Sequence, residues 1–261
     1  MIIPADGQSN MVGFGRINNQ GDEDSLLPNM FQLSQGWDKY YEAGKDGDVI
    51  PATQPLQFRT ELPKNIGKNN VSLAFYFARC MAKTYPEWDI LIVPTAQGST
   101  GYTEDHWGIG DVLFKKSIAR VAKAIDYGNA NYDQVIIPAW LYHQGEDDAS
   151  ERRLRKIEAE LTPALLERRK IFAKFEIFPI LLGEVCPTSG RIAVNPVLNK
   201  VPKTVPSTSV ISTKKYTASP DKLHFTGAEL KNIGADYFQT WVEKYLSGFP
   251  QLVLIKNEKF R

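Results

Sequence analysis

Ser9 stands in Gly7-Gln8-Ser9-Asn10, a polar turn directly behind the apolar opening Met1-Ile2-Ile3-Pro4-Ala5. A serine hydroxyl is too weakly acidic to attack a carbonyl unaided and needs a nearby base. The chain holds three histidines: His106, His143 and His224. His224 follows Asp221 by three residues, so within one turn the two side chains share a face. The carboxylate then fixes the imidazole tautomer while the other ring nitrogen takes the serine proton. His143 is the rival base. It adjoins Gln144, but neighbouring strand residues point to opposite faces, which makes it a packed or orienting residue.

Groups this far apart in sequence need a frame that brings them together. Apolar runs predict strands at Ile2–Ala5, Ile90–Thr95, Val135–Leu141, Ile177–Glu184 and Ser209–Ser212. Runs such as Ile90-Leu91-Ile92-Val93 lack alternation, as expected of strands covered on both faces. Pro138 and Pro179 sit awkwardly for central strands and mark bulges or strand starts. Helical periodicity lies between the strands: Val71 to Tyr85 with Asn70 as N-cap, Phe114 to Ile125 stopping at Gly128, and Leu154 to Phe172. Pro163 is expected to break the third of these, with Thr162 capping a second segment. A last helix runs from Gly227 to Tyr245. The alternation predicts an α/β fold, a five-stranded parallel sheet between two helical layers.

Residues 14–70 show no sustained period and are rich in Gly, Pro, Asn and Gln. They read as a long excursion folding over one sheet edge. Residues 185–208 are irregular, and the tail of residues 251–261, opening Gln251-Leu252-Val253-Leu254-Ile255, is an added edge strand in this reading. No repeat or long linker divides the chain, so residues 1–261 are expected to form one domain. Four polar, glycine-bearing turns (residues 6–10, 97–101, 142–148 and 219–227) fall where strands end. In an open parallel sheet that edge holds the ligand crevice.

The bulk properties narrow the class. Of 261 residues, 43% are hydrophobic and 23% charged, and 31 basic against 30 acidic side chains leave a net charge of +1. The absence of a basic excess disfavours nucleic acid as a partner. No apolar stretch approaches a membrane span, and no signal peptide is expected. Cys80 and Cys186 read as buried small hydrophobes and leave the compartment open. No zinc or phosphate-loop signature occurs, so neither metal nor cofactor is expected.

The motifs Gly7-Gln-Ser-Asn-Met-Val-Gly13, Trp140-Leu-Tyr-His-Gln-Gly-Glu-Asp-Asp148 and Asp221-Lys-Leu-His-Phe-Thr-Gly227 resemble those of the SGNH-hydrolase superfamily. Within it they are similar to the sialate O-acetylesterase-like group, related to carbohydrate esterase family six and the acetylxylan esterases. The resemblance implies a three-layer, flavodoxin-like α/β/α fold and metal-free removal of acetyl groups from sugar hydroxyls. Acetylated sialic acid, xylan and bacterial surface polysaccharide all remain open as substrates, and a bacterial or a phage setting fits equally. Residue by residue, it implies Ser9 as nucleophile and Asp221 and His224 as its partners. It further implies an oxyanion hole of Ser9 N–H, Gly98 N–H and the Gln144 amide.

Two positions depart from the pattern: Asp6, where a small or apolar residue is expected, and Ser99, where the group favours glycine. Tyr102, His106 and Trp107 are candidates for lining a sugar subsite, with an anchored loop as the plainer alternative. Trp37, Tyr40 and Tyr41 are weaker candidates of the same kind. Glu146 is weighed both as a substrate contact and as a loop anchor that accepts hydrogen bonds. A carbohydrate-binding module that has lost turnover is the rival reading. The sequence does not specify oligomeric state.

Overall fold

The computed structural model describes residues 1–16, 27–34, 47–54, 56, 70–175 and 178–253. Strand β1 (Ile2–Gly7) lies at the centre of a seven-stranded sheet. On one side of it come β6 (Ile90–Pro94), β3 (Met30–Leu33) and β4 (Val49–Pro51). On the other come β7 (Trp140–His143), β8 (Ile180–Gly183) and β9 (Thr208–Ile211). The five expected strands are all present and all parallel. The excursion corrects the count, because β3 pairs parallel with β6 and β4 pairs antiparallel with β3. It also supplies β2 (Gly15–Arg16) and β5 (Asn70–Val71), which pair with each other. Trp37, Tyr40 and Tyr41 lie outside the described residues.

Pleating sorts β1 between two cores. Ile3 and Ala5 pack with α2 (Leu73–Thr84) and α6 (Gly227–Lys244), whereas Ile2 joins the cluster of α3 (Val112–Asn131) and α4 (Glu151–Ile171). The short helices α1 (Ser9–Val12) and α5 (Asn195–Lys200) follow β1 and β8. With helices on both faces, the continuous apolar runs are buried from either side. Among the described residues, no helix is long and apolar enough to cross a membrane.

Several expected boundaries move for local reasons. Residues 135–139 precede β7, and Pro179 directly precedes β8, so neither proline occupies a ladder position that needs an N–H. Ser72, not Asn70, caps α2, its side chain accepting from Ala74 N at 3.2 Å. Gly128 lies inside α3, packed against Val135 rather than ending the helix. Helix α4 runs unbroken through Pro163. Pro163 and Ala159, whose carbonyl it deprives of a donor, both face solvent, while Ile157, Leu161 and Leu165 anchor the helix on both sides of it. Cys186 is buried and Cys80 partly so. Residues 250–253 are helical, which removes the described part of the expected edge strand; the remainder lies outside the described residues.

Candidate active site

Four loops at the carboxyl ends of the strands build the site. The first is set by Gly7, whose φ is +138° and whose added Cβ would stand 2.0 Å from the His143 carbonyl oxygen. Only a glycine lets β1 end against β7 and turn at once into α1. Gln8 N–H donates to the same carbonyl at 3.0 Å, and Ser9 becomes the first residue of α1.

The last loop is a compact hairpin ahead of α6. Ser219 N–H donates to the His224 carbonyl at 2.6 Å, and Ala218 bridges to Phe225. Thr226 and Glu229 close a reciprocal cap on α6, and Glu229 also takes the Thr217 N–H at 2.6 Å. The hairpin is thereby tied to its helix at both ends.

This brings His224 Nε2 to 2.8 Å from Ser9 Oγ and His224 Nδ1 to 2.7 Å from Asp221 Oδ2. The other carboxylate oxygen accepts from Ser219 Oγ at 2.7 Å and from the N–H groups of Leu223 and His224 at 2.9 Å each. Partial burial alone would raise the Asp221 carboxyl. The donors from His224, Ser219 and Leu223 outweigh it and hold the group well below the usual carboxylate range. With Asp221 ionised, Nδ1 carries the proton and Nε2 is left to accept from the serine hydroxyl. The Phe14 ring stacks on the His224 imidazole, 5.1 Å between centroids and 17° from parallel.

Gly98 faces the same serine: a Cβ built on it would lie 3.7 Å from Ser9 Cβ and 3.6 Å from the Phe14 ring. Among the described residues, neither Ser9 N–H nor Gly98 N–H donates to a protein acceptor. The Gln144 amide does not join them. It is fully buried, and its nitrogen donates to Thr100 O at 2.7 Å and Asp148 Oδ2 at 3.2 Å. That corrects its expected place in an oxyanion hole: Gln144 braces the loop that carries Gly98. Burial pushes the Asp148 carboxyl up to about 6, against hydrogen bonds from Gln144 and from Tyr102 and Thr103 N–H.

A family model described as carbohydrate esterase, sialic acid-specific acetylesterase matches residues 2–243. The chain belongs to this family. It is a carbohydrate O-acetylesterase. The sequence matches none of the curated proteins. Similar solved structures share the fold. A protein of Arabidopsis thaliana is 18% identical with a TM-score of 0.73, covering 94% of this chain and 98% of its own. NanS is 15% identical with a TM-score of 0.72, covering 94% and 97%. A carbohydrate acetylesterase from Xanthomonas citri is 14% identical with a TM-score of 0.64, covering 91% of this chain and 54% of its own.

The aromatic residues offered as subsite walls of the esterase turn inward. Tyr102 is fully buried with its hydroxyl 2.7 Å from that of Tyr142, and Trp107 is fully buried with its ring N–H on Thr100 Oγ1 at 3.1 Å. Both anchor the loop after β6, so neither lines a sugar subsite. His106 is partly exposed, and its Nδ1 accepts from Gly101 N–H at 3.3 Å. Glu146 is 1% exposed, which removes it as a substrate contact and leaves the loop-anchor reading. His143 is fully buried against Tyr237 and Phe225, 3.3 Å from the Tyr237 hydroxyl. Burial lowers its pKa, the neighbouring Glu146 only partly opposing this, and it makes no contact with Ser9.

Asp6, where a small or apolar residue was expected, points away from the site to the α3–α4 side of the sheet. Fully buried, it accepts from Arg168 Nε at 3.1 Å, Trp140 Nε1 at 2.9 Å, Ser117 Oγ at 2.8 Å and the Thr95 hydroxyl. Phe14 and Asn10 are site residues that the sequence reading did not single out. A ring that stacks on a partner 210 positions away leaves no local signal.

Proposed function

We propose that this esterase removes O-acetyl groups from carbohydrate through an acetyl-enzyme on Ser9, with O-acetylated sialic acid as the leading substrate. The observation that carries the reading is the unbroken line Ser9 Oγ, His224 Nε2, His224 Nδ1 and Asp221 Oδ2, each link under 3 Å. The family description favours sialic acid over xylan or other bacterial surface polysaccharide.

His224 Nε2 takes the Ser9 proton as Oγ attacks the acetyl carbonyl. The C=O electron pair moves onto oxygen, where Ser9 N–H and Gly98 N–H receive it. Each such donor is worth about a hundred- to a thousandfold in rate. As the tetrahedral adduct collapses, the C–O bond to the sugar breaks and His224 returns the proton to the leaving oxygen. Water then attacks the acetyl-serine with His224 again as base, releasing acetate. Asp221 keeps its charge throughout and stabilises the imidazolium. Residues 1–261 act as one domain in this reading.

The test is acetate release by wild type and Ser9→Ala from p-nitrophenyl acetate and from O-acetylated sialic acid, xylan and lipopolysaccharide. The reading expects turnover on sialic acid by wild type and none by the variant. Full activity in Ser9→Ala overturns the mechanism. Glycan binding without acetate release by wild type favours a binding module instead.

A further inference from the structure

Glu146 has an unusual set of partners for a buried carboxylate. Among the described residues, no lysine or arginine is paired with it. Its Oε2 accepts from the Gln8 side-chain amide, and its Oε1 accepts from Asn10 Nδ2 at 2.6 Å. The nearest cationic candidate, His143 Nε2, stands 3.7 Å away, and burial keeps that ring neutral. Gln8 and Asn10 are the two residues that flank Ser9. One carboxylate thus grips both neighbours of the nucleophile, across a separation of 136 to 138 residues. Asn10 extends the grip, since its Oδ1 accepts the N–H of Phe225, next to His224, at 3.1 Å.

We infer that Glu146 is a positioning residue that fixes the nucleophile and its base in one frame. It touches neither substrate nor reacting atoms. A buried charge without a counter-ion costs folding free energy, and two carboxamide donors offset only part of it. A neutral glutamine fills the same space at lower cost, but it offers one acceptor and one donor group where two acceptors are required. The donor geometry fits a carboxylate: the two –NH₂ groups reach separate oxygens, and a glutamine presents an acceptor at only one of those two positions. The chain Glu146–Asn10–Phe225 then joins the loops after β1 and β7 to the hairpin before α6. Displacement of Ser9 Oγ from His224 Nε2 by about 1 Å costs on the order of a hundredfold in rate. This inference rests on Ser9 being the nucleophile.

The experiment compares wild type with Glu146→Gln, Asn10→Asp and the double variant Asn10→Asp/Glu146→Gln. The double variant exchanges donor and acceptor. The amide introduced at position 146 donates its NH₂ to the carboxylate introduced at position 10, and its carbonyl oxygen accepts from Gln8. That carboxylate still accepts from Phe225 N–H, and the net charge is unchanged. Readouts are kcat and KM on p-nitrophenyl acetate, the rate of Ser9 labelling by a fluorophosphonate, and thermal melting. Glu146→Gln is expected to lose about a hundredfold in kcat and in labelling rate, with KM changed by less than about threefold. The double variant is expected to recover at least about tenfold over Glu146→Gln.

Wild-type kcat in Glu146→Gln, or a double variant no faster than that single one, overturns the inference. Should Glu146→Gln not fold, Gln8→Met keeps the carboxylate and removes one donor; an unchanged labelling rate in it overturns the inference equally. Ser9→Ala run alongside separates the two levels. Turnover surviving in it means that the nucleophile is wrong, whatever Glu146 does.

Discussion

Asp6 and Asp221 are two carboxylates built alike and set in different surroundings. Each accepts hydrogen bonds from four groups: Thr95, Ser117, Trp140 and Arg168 around Asp6, and Ser219, Leu223 N–H, His224 N–H and His224 Nδ1 around Asp221. Asp6 is fully buried beneath the sheet, its partner Arg168 packed 4.6 Å over the Phe114 ring. Asp221 sits at the rim with half of its side chain exposed. Saturation with donors therefore does not separate the carboxylate proposed to serve His224 from one that only holds the fold. The face of the sheet does. Asp6 is three residues from Ser9, yet pleating and the Gly7 turn send the two to opposite sides.

The comparison breaks most sharply at Asp221. Asp221→Asn leaves the geometry but releases the imidazole tautomer, and kcat is expected to fall about 10⁴-fold with only a small change in melting temperature. Steady-state kinetics beside a melting curve check both halves. Asp6→Ala acts the other way. It strands Arg168 as an uncompensated buried charge and costs about 3–5 kcal/mol, a drop of roughly 10 °C in melting temperature. Turnover per labelled active site is expected to survive. A stable Asp6→Ala protein that has lost turnover contradicts the division.

Smaller effects sharpen it. Phe14→Ala removes the ring stacked on His224, an interaction of about 0.5–1.5 kcal/mol, so kcat/KM is expected to fall by about threefold to tenfold. Lys156→Met breaks the exposed pair with Asp105 on the loop after β6. Melting temperature and kcat are both expected to match wild type, since exposed pairs contribute little.

The meeting of Ser9, Asp221 and His224 was legible in the sequence because its signal is local. Asp-x-x-His fits in one turn, and Gly-Gln-Ser-Asn directly follows a strand. The five central strands were legible because burial on both faces removes polar residues from them. Strands β3 and β4 were not. They are four and three residues long, inside a stretch dense in turn formers, and only pairing with β6 and with each other makes them strands. Tyr102 and Trp107 were misread because an aromatic residue in a polar loop has the same sequence signature facing in or out. Gln144 was assigned by family position, but its orientation depends on its contacts with Thr100 and Asp148, and Thr100 lies outside that motif.

The central claim is a covalent acetyl on Ser9. Rapid quenching during turnover of an activated acetyl ester, followed by peptide mass spectrometry, tests it directly. The account predicts acetylation of the peptide containing Ser9, at a level that rises as fast as the first turnover and is absent from Ser9→Ala. An unmodified Ser9 peptide in wild type, or acetate released at the wild-type rate by Ser9→Ala, contradicts it.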